Sequence, residues 1–320
     1  RNILQYAGKR ITPENPLIDA RLPDGSRVHV VLPPASRQGP CIAIRKFEKS
    51  LFNMDALIRA GALTEMSAEF LRLAVLAEKN IIVAGGTGSG KTSLLNALSS
   101  YIPNHQRIVV IEDSSELQLQ QEHVLRMECR PPDRYGRGEV TIRDLFRSSL
   151  RLRPDRIVIG EVRGGEALDM IQAMTSGHGG SMSTMHATTP LDALNRLETL
   201  AMMANVELPL YALRSQVASA IDIIVQVTRF ADGSRGLTQI SEVLGVQGDA
   251  YRVADIFTYK VRAEGDKRAR GTLEWTGERP AFRSEPAFRL LAEQVGLCRD
   301  LFADVPAMDE QSPVPQEAVQ

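Results

Sequence analysis

The chain has 320 residues, of which 43% are hydrophobic and 24% are charged, and its net charge is −1. This composition is typical of a soluble globular protein with about two domains, and it lacks the basic footprint of a nucleic-acid-binding protein. The three cysteines lie far apart, which favours reduced thiols over a disulfide framework, and no apolar run has the length of a membrane span.

The N-terminal part alternates between apolar and polar residues in the manner of β-strands. A Pro-Asp-Gly-Ser turn at 23–26 separates two such stretches and therefore predicts a hairpin. A third strand and two helices are predicted to follow before the chain enters its strongest motif. The predicted strands span 17–22, 27–32 and 41–47, and the helices span 54–60 and 67–79.

That motif, Gly-Gly-Thr-Gly-Ser-Gly-Lys-Thr, fits the phosphate-binding pattern G-x-x-x-x-G-K-[ST], with an apolar strand before it and a helix after it. Its glycines let backbone N–H groups approach a polyphosphate, and the helix N-terminus adds partial positive charge. In such loops the lysine, Lys91, reaches the β- and γ-phosphates and the Thr92 hydroxyl ligates Mg²⁺. The sequence therefore predicts a nucleoside triphosphate site. Its predicted binding residues are Gly85, Gly86, Thr87, Gly88, Ser89, Gly90, Lys91, Thr92 and Ser93.

Strand and helix patterns alternate after the loop. This alternation predicts a mostly parallel sheet with helices on both faces and with ligands at the carboxyl ends of the strands. Helices are expected to begin at Thr141, which forms a capping pair with Asp144, and at Thr189, which precedes a proline. Beyond about residue 220 the pattern changes to antiparallel strands, at 223–230, 237–246 and 251–259.

Two acidic segments follow apolar strands. Glu161 ends the strand 156–159 about 70 residues after the loop lysine, where a carboxylate beside Mg²⁺ is expected. Glu112, Asp113 and Glu116 follow the strand 107–111. This second group fits either a solvated loop with a helix cap or a carboxylate that orients the attacking water.

A third segment carries His178 and His186 among small residues, without a cysteine or an acid at metal-ligand spacing. We interpret this segment as a strand and its preceding turn beside the nucleotide, with a histidine that senses the γ-phosphate. Further along the chain, 260–270 is a charged connector. The residues after 302 are acidic and proline-containing, which predicts disorder.

Taken in order, these segments resemble the type II/type IV secretion ATPase superfamily, and the resemblance runs from about residue 17 to about residue 277. Within the superfamily, three short stretches look most like the tight-adherence (Tad/Flp) pilus ATPases. The superfamily motifs are Walker A at 85–92, the Asp box at 111–116, Walker B at 157–163 and the His box at 177–186. The Tad-like stretches are 43–47, 194–198 and 232–235.

The resemblance implies an α/β chain with a RecA-like P-loop ATPase domain and a small α+β N-terminal domain. The first domain is expected to be PAS-like and truncated, because the long extension common in the pilus subfamily is missing or trimmed. The implied domains are 1–60 for the N-terminal domain, 61–78 for a linker and the first ATPase helix, 79–302 for the RecA-like domain and 303–320 for a disordered tail.

The resemblance also implies an ATPase that uses ATP and Mg²⁺. It implies a homo-hexamer, peripheral to the cytoplasmic side of the bacterial inner membrane, that works with inner-membrane platform proteins of a pilus or secretion machine and binds no nucleic acid. By motif position, Glu116 is the catalytic glutamate, Glu161 acts at the metal through water, and His186 is the second His-box histidine. No structural zinc is expected, because the tetracysteine element of some relatives is lacking.

Three arginines match positions where relatives approach a nucleotide. Arg151 and Arg196 match arginines directed at the γ-phosphate of an adjoining site, and Arg45 matches arginines that reach the nucleotide from the N-terminal domain. The same residues also fit ordinary surface roles. Arg151 and Arg196 would then be solvated helix arginines, and Arg45 would be a charge on an edge strand.

Two other functions compete with a secretion motor. One is a nucleic-acid translocase or helicase on the same RecA-like core, and the other is a module that binds ATP but barely hydrolyses it. The pI of about 6.6 and the lack of a basic stripe with interleaved aromatic residues disfavour the first. The complete set of acidic residues disfavours the second.

Overall fold

The computed structural model describes residue 12 and residues 16–46, 53–133, 135–261 and 271–295. The chain divides into two compact units, 1–51 and 52–320. The predicted disordered tail and almost all of the charged connector lie outside the described residues. Within the part that is described, no helix combines the length and the apolar character needed to cross a membrane.

The first unit contains a three-stranded antiparallel sheet in the order β1 (Leu17–Arg21), β2 (Arg27–Val31) and β3 (Cys41–Arg45). The predicted hairpin is confirmed. The Asp24 carboxylate closes its turn by accepting hydrogen bonds from the Ser26 backbone N–H and hydroxyl, both at 2.9 Å. Apolar residues of β1 and β2 alternate onto one face and form a small core of Ile18, Ala20, Val28 and Val30.

The second unit is organised around a nine-stranded sheet. Its strands are β4 (Ile81–Gly85), β5 (Ile108–Glu112), β6 (Val124–Glu128), β7 (Arg156–Ile159), β8 (Met182–Met185), β9 (Ile223–Arg229), β10 (Arg235–Gln247), β11 (Ala250–Lys260) and β12 (Thr272–Trp275). Its helices are α1 (Met54–Arg59), α2 (Glu65–Leu76), α3 (Lys91–Ser99), α4 (Ile142–Ser149), α5 (Glu166–Thr175), α6 (Pro190–Met202), α7 (Leu210–Ala220) and α8 (Pro286–Val295).

The strand order across this sheet is β12-β11-β10-β9-β4-β8-β7-β5-β6. The six strands from β9 to β6 are parallel, and β10 to β12 extend the sheet as an antiparallel meander. Strands β4, β5 and β7 are buried along their whole length, as continuous apolar runs require when both faces are covered. Helices α2 and α3 pack on one face, and α5, α6 and α7 pack on the other. The predicted α/β architecture is confirmed.

Two helix boundaries differ from the prediction for local reasons. Helix α2 begins at Glu65, two residues before the predicted start at Ser67, because Thr64 and Ser67 form a capping box. The helix predicted from Thr141 has its capping box with Asp144. However, it changes to a 3₁₀ turn over Leu150–Leu152, before Arg153 adopts a left-handed conformation.

Candidate functional site

The phosphate-loop sequence connects β4 to α3, as the sequence predicts. Three of its four glycines, Gly85, Gly88 and Gly90, occupy positions where a larger residue would clash or be strained. A Cβ on Gly85 would lie 2.3 Å from the Val227 carbonyl oxygen and 2.7 Å from the Ser89 hydroxyl oxygen. Gly88 and Gly90 have φ values of 69° and 101°, in the left-handed region that favours glycine. The backbone can therefore fold tightly back on itself and present its N–H groups in the way that anion-binding loops do.

Lys91 is the first residue of α3 and is buried against this loop. Its Nζ donates to the carbonyl oxygens of Gly85 at 3.0 Å and Gly86 at 2.9 Å, so the ammonium lies inside the curve of the loop. Thr92 and Ser93 follow, partly exposed, on the first turn of the helix. A cation, a hydroxyl and an uncapped helix N-terminus at one point make a site that fits a phosphate group.

The parallel strands bring the other predicted residues to the same edge of the sheet. Strands β4, β8, β7 and β5 are consecutive neighbours, and each carries a predicted element at its carboxyl end. The phosphate loop follows β4, His186 follows β8, Glu161 follows β7, and Glu112 ends β5. The strand order therefore places a cation, an imidazole and two carboxylates along one line.

Glu161 is the centre of the polar contacts at this edge. Its Oε2 accepts a hydrogen bond from Arg163 Nη2 at 2.6 Å. Its Oε1 lies 3.0 Å from His186 Nε2, within ion-pair distance, yet this buried oxygen accepts no hydrogen bond from the described residues. Arg163 also reaches Asp113, with 3.3 Å between Nη1 and Oδ2. An unsatisfied carboxylate oxygen beside a phosphate loop fits a site that takes Mg²⁺ through a bound water.

The surroundings shift the pKa values of Arg163 and His186 in opposite directions. The hydrogen bond that Arg163 donates to Glu161 raises the pKa of Arg163, so this guanidinium stays charged. Burial lowers the pKa of His186, and the nearby Lys91 lowers it further, whereas Glu161 partly opposes both effects. The imidazole is therefore neutral at pH 7 and able to both donate and accept a hydrogen bond.

Glu112 organises the acidic segment that follows β5. Its side chain is buried, and its Oε1 accepts the backbone N–H groups of Glu116 at 2.8 Å and Leu117 at 3.0 Å. Burial raises the pKa of this carboxyl group, and the two N–H donors oppose that rise. A Cβ on Gly160 would lie 3.0 Å from Glu112 Cγ, so the glycine makes room for it. Glu112 thereby fixes the backbone that carries the partly exposed Glu116.

The three predicted arginines and His178 are not all brought to this edge of the sheet. Arg196, on the exposed side of α6, lies near enough to lower the pKa of His186 and so faces the same region. Arg151 is exposed in the 3₁₀ turn and forms no hydrogen bond or ion pair within the described residues. Arg45 is exposed at the end of β3 in the first unit. His178 precedes β8, at the opposite end of that strand from His186, and is not brought to the site.

Sequence reasoning did not assign roles to three residues that shape this edge. Glu112 was one of several acids after β5, and no local pattern distinguishes it as the buried one. Arg163 ends the Walker B segment 157–163, but the prediction gave it no role of its own. Glu166 accepts the backbone N–H groups of Arg163 at 2.7 Å and Gly164 at 2.9 Å. Its position as an acidic residue in the first turn of α5 is the signal that could have pointed to Glu166.

Comparison with known proteins shows the family of this chain. The profile of the family described as "Type II/IV secretion system protein" matches residues 4–264. The chain belongs to this family. Among its family relatives, the type IV secretion system protein PtlH of Bordetella pertussis is 42% identical over 253 residues, which cover 71% of this chain and 74% of PtlH. The conjugal transfer protein TrbB of Rhizobium radiobacter is 36% identical and covers 73% of this chain and 69% of TrbB.

Two solved structures share the fold. The VirB11 ATPase of the Brucella suis type IV secretion system, determined in complex with sulphate, is 31% identical, with a TM-score of 0.50 over 75% of this chain and 80% of VirB11. The ATPase DotB of Yersinia pseudotuberculosis has a TM-score of 0.55 over 76% of this chain and 66% of DotB at 18% identity, which supports the fold alone. The resemblance to type II/type IV secretion ATPases, with a RecA-like core, is therefore confirmed.

Proposed function

We propose that this protein is a hexameric motor that hydrolyses ATP to drive pilus assembly or protein secretion across the bacterial inner membrane. The observation that carries the proposal is the single edge of the sheet at which four adjacent strands present the phosphate loop, His186, Glu161 and Glu112. Membership of a family that includes type IV secretion ATPases supports the same activity. The tight-adherence pilus machine is the proposed system within that family.

The loop side of the site would bind the nucleotide. Lys91 neutralises charge on the β- and γ-phosphates, while the loop backbone and the N-terminus of α3 hold the phosphate oxygens. Thr92, with its hydroxyl, and Glu161, through water, would hold Mg²⁺. When bound, Mg²⁺ supplies positive charge that stabilises the leaving phosphate oxygens. Ser93 lies on the same helical turn and adds a further donor.

The acidic side of the site would perform the hydrolysis. Glu116 orients the attacking water, and Glu112 holds the Glu116 backbone through the hydrogen bond described above. The neutral His186 lies between Glu161 and the phosphate loop, so it can sense the γ-phosphate by exchanging hydrogen bonds with it. In phosphoryl transfer such positioning and charge balance account for most of the catalysis.

Assembly would complete the site. Arg151 and Arg196 are exposed cations, which suits a role at the γ-phosphate of a neighbouring subunit in a homo-hexamer. Arg45 would reach the nucleotide from the N-terminal domain and couple hydrolysis to domain movement. The ring is proposed to lie at the cytoplasmic face of the inner membrane, held there by platform proteins, with no nucleic-acid substrate. The domain boundaries near residues 60, 78 and 302 belong to this proposal.

Two substitutions test the chemistry. Lys91→Ala is expected to abolish hydrolysis and weaken ATP binding, because it removes the cation at the phosphates. Glu116→Gln is expected to bind ATP normally and hydrolyse it poorly, because only the water-orienting carboxylate is lost. Asp113→Asn, at the exposed neighbouring acid, is the matched control for Glu116→Gln. Phosphate release and equilibrium ATP binding are measured with and without Mg²⁺.

Near wild-type turnover by Glu116→Gln would refute the role of Glu116. Turnover that is absent from the wild type at every Mg²⁺ concentration would instead favour the nucleotide-binding module. Stimulation of turnover by single-stranded DNA would favour the translocase.

A dilution series tests the requirement for assembly. Specific ATPase activity should fall as the protein is diluted below the concentration at which light scattering detects hexamers, because Arg151 and Arg196 then leave the neighbouring site. A monomer with undiminished specific activity would contradict the proposed role of both arginines.

A further inference from the structure

The hairpin between β9 and β10 contacts the outer side of the phosphate loop. Arg235, the first residue of β10, donates a hydrogen bond from Nε to the carbonyl oxygen of Gly88 at 2.8 Å. Its Cδ lies 3.4 Å from the point that a Cβ on Gly90 would occupy. Arg229 at the end of β9 comes within 4.0 Å of the corresponding point on Gly88. Two guanidinium side chains therefore flank the loop from one hairpin.

The hairpin itself is well defined. Its turn is closed by backbone hydrogen bonds between Phe230 and Ser234 at 2.9 Å and between Gly233 and Phe230 at 2.9 Å. The Asp232 carboxylate accepts the Ser234 backbone N–H at 2.9 Å. The Phe230 ring also packs against Tyr259, with 5.0 Å between the ring centroids. The contact with the loop therefore comes from an element whose own conformation is fixed.

Hairpin stability alone does not account for the two arginines. Arg229 and Arg235 are direct partners across the antiparallel pair, and like charges in this arrangement are unfavourable. Arg229 forms no hydrogen bond or ion pair with the residues that the structure describes. Two cations side by side next to a phosphate loop are instead suited to an anionic ligand in that loop.

The geometry of one peptide group links the contact to anion binding. The peptide between Gly88 and Ser89 is planar, so its C=O and N–H point in opposite directions. Holding the Gly88 oxygen on the outside with Arg235 directs the Ser89 N–H into the loop. There, among the described residues, it makes one long backbone hydrogen bond, 3.4 Å to the Gly86 carbonyl oxygen. The Arg235 hydrogen bond thus fixes the direction of a donor that faces the proposed phosphate site.

We propose that Arg235 is a positioning residue that holds the phosphate loop in its anion-binding conformation through the hydrogen bond from Nε to the Gly88 carbonyl. This inference rests on the proposed function, because it assigns a role in nucleotide binding. Arg235 does not need to touch the nucleotide. Its effect is to remove the cost of ordering the loop when the phosphates bind.

Arg235→Lys and Arg235→Ala test the proposal, with Arg252→Ala as the control at an exposed arginine on the neighbouring meander. Lysine keeps the charge but places a methylene group where arginine has Nε, so it separates the hydrogen bond from the charge. The first measurement is hydrogen–deuterium exchange at the buried Ser89 amide in nucleotide-free protein. The second is the dissociation constant for ADP, measured by calorimetry.

In both Arg235 variants, the Ser89 amide should exchange about fivefold to tenfold faster and the dissociation constant for ADP should rise by the same factor. This is the size expected for the loss of one solvent-exposed hydrogen bond of ordinary strength. Turnover at saturating ATP should stay within about threefold of the wild type, because the chemical groups remain in place. Arg252→Ala should match the wild type in all three measurements.

Two results would overturn the proposal. One is an Arg235→Lys variant that matches the wild type in exchange and affinity, since the charge alone would then be sufficient. The other is unchanged Ser89 exchange in both variants. A wild-type protein that binds no ADP would refute the proposed function instead, and the exchange measurement would still decide whether Arg235 positions the loop.

Discussion

Replacing Glu112 tests how the site holds Glu116, the proposed catalytic carboxylate. The Glu112 side chain is 4% exposed and accepts two backbone N–H groups, from Glu116 and Leu117. Hydrogen bonds to an ionised acceptor contribute about 1.5–3 kcal/mol each, so the pair contributes about 3–6 kcal/mol. The raised pKa of Glu112 reports a desolvation cost that its removal would relieve. We therefore expect Glu112→Ala to lower the free energy of unfolding by about 2–4 kcal/mol.

Glu112→Gln separates the hydrogen bonds from the charge. Its amide oxygen can still accept both N–H groups, and neutral bonds are about half as strong, so the expected loss is about 1–2 kcal/mol. Asp113→Ala removes the exposed neighbouring acid and its 3.3 Å contact with Arg163, and should change stability by about 0.5 kcal/mol or less. ATP turnover should fall in the order wild type, Glu112→Gln, Glu112→Ala, because Glu116 loses its anchor progressively.

The assay is urea unfolding followed by fluorescence. The chain has a single tryptophan, Trp275 on β12, which belongs to the same nine-stranded sheet as Glu112. Unfolding of that sheet therefore gives the signal. If Glu112→Ala unfolds at the same urea concentration and with the same slope as the wild type, the two hydrogen bonds do not hold this segment. Glu112 would then not position Glu116 either.

Three further predictions concern the rest of the sheet. The pKa of His186, measured by NMR, should lie below its ordinary value of 6.5, rise in Lys91→Met and fall further in Glu161→Gln. The pKa of His186 is therefore lower in the folded chain than in the unfolded chain. Acidification from pH 6.5 downward should reduce the contribution of His186 to stability, because the unfolded chain binds the proton first. Arg156→Met removes a fully buried guanidinium that donates hydrogen bonds to three acceptors. It should lower the free energy of unfolding in urea by about 3–5 kcal/mol, and a loss under about 1 kcal/mol would contradict this. Gly85→Ala should fold poorly, with a clearly lowered melting temperature, because its Cβ would lie 2.3 Å from a backbone oxygen.

The sequence by itself determined the features that depend on neighbouring residues in the chain. The phosphate loop could be predicted because its glycines, Lys91 and Thr92 are consecutive and a strand and a helix flank them. The helix caps at Thr141 and Thr189 were predicted for the same reason, since a cap needs only residues within one turn. The acids at the ends of β5 and β7 could be assigned to the ligand edge because parallel strands present their carboxyl ends together.

Elements with weak local signals were missed. Strand β6, Val124–Glu128, carries charged residues and lies at the sheet edge, so its sequence shows neither an apolar run nor a clear alternation. Helix α7, Leu210–Ala220, follows a proline and has no side-chain cap. Both elements are stabilised by packing against residues that are distant in the chain, which no window of the sequence contains.

Only the tertiary structure decided which side chains meet. The sheet places β9 beside β4, although more than 130 residues separate them, and so brings Arg235 to the Gly88 carbonyl. It buries Glu112 while leaving Asp113 exposed, and it separates His178 from His186 by the length of β8. These outcomes depend on strand order and on which face each residue presents. Both are set by the packing of the whole sheet, because local propensities are compatible with several strand orders.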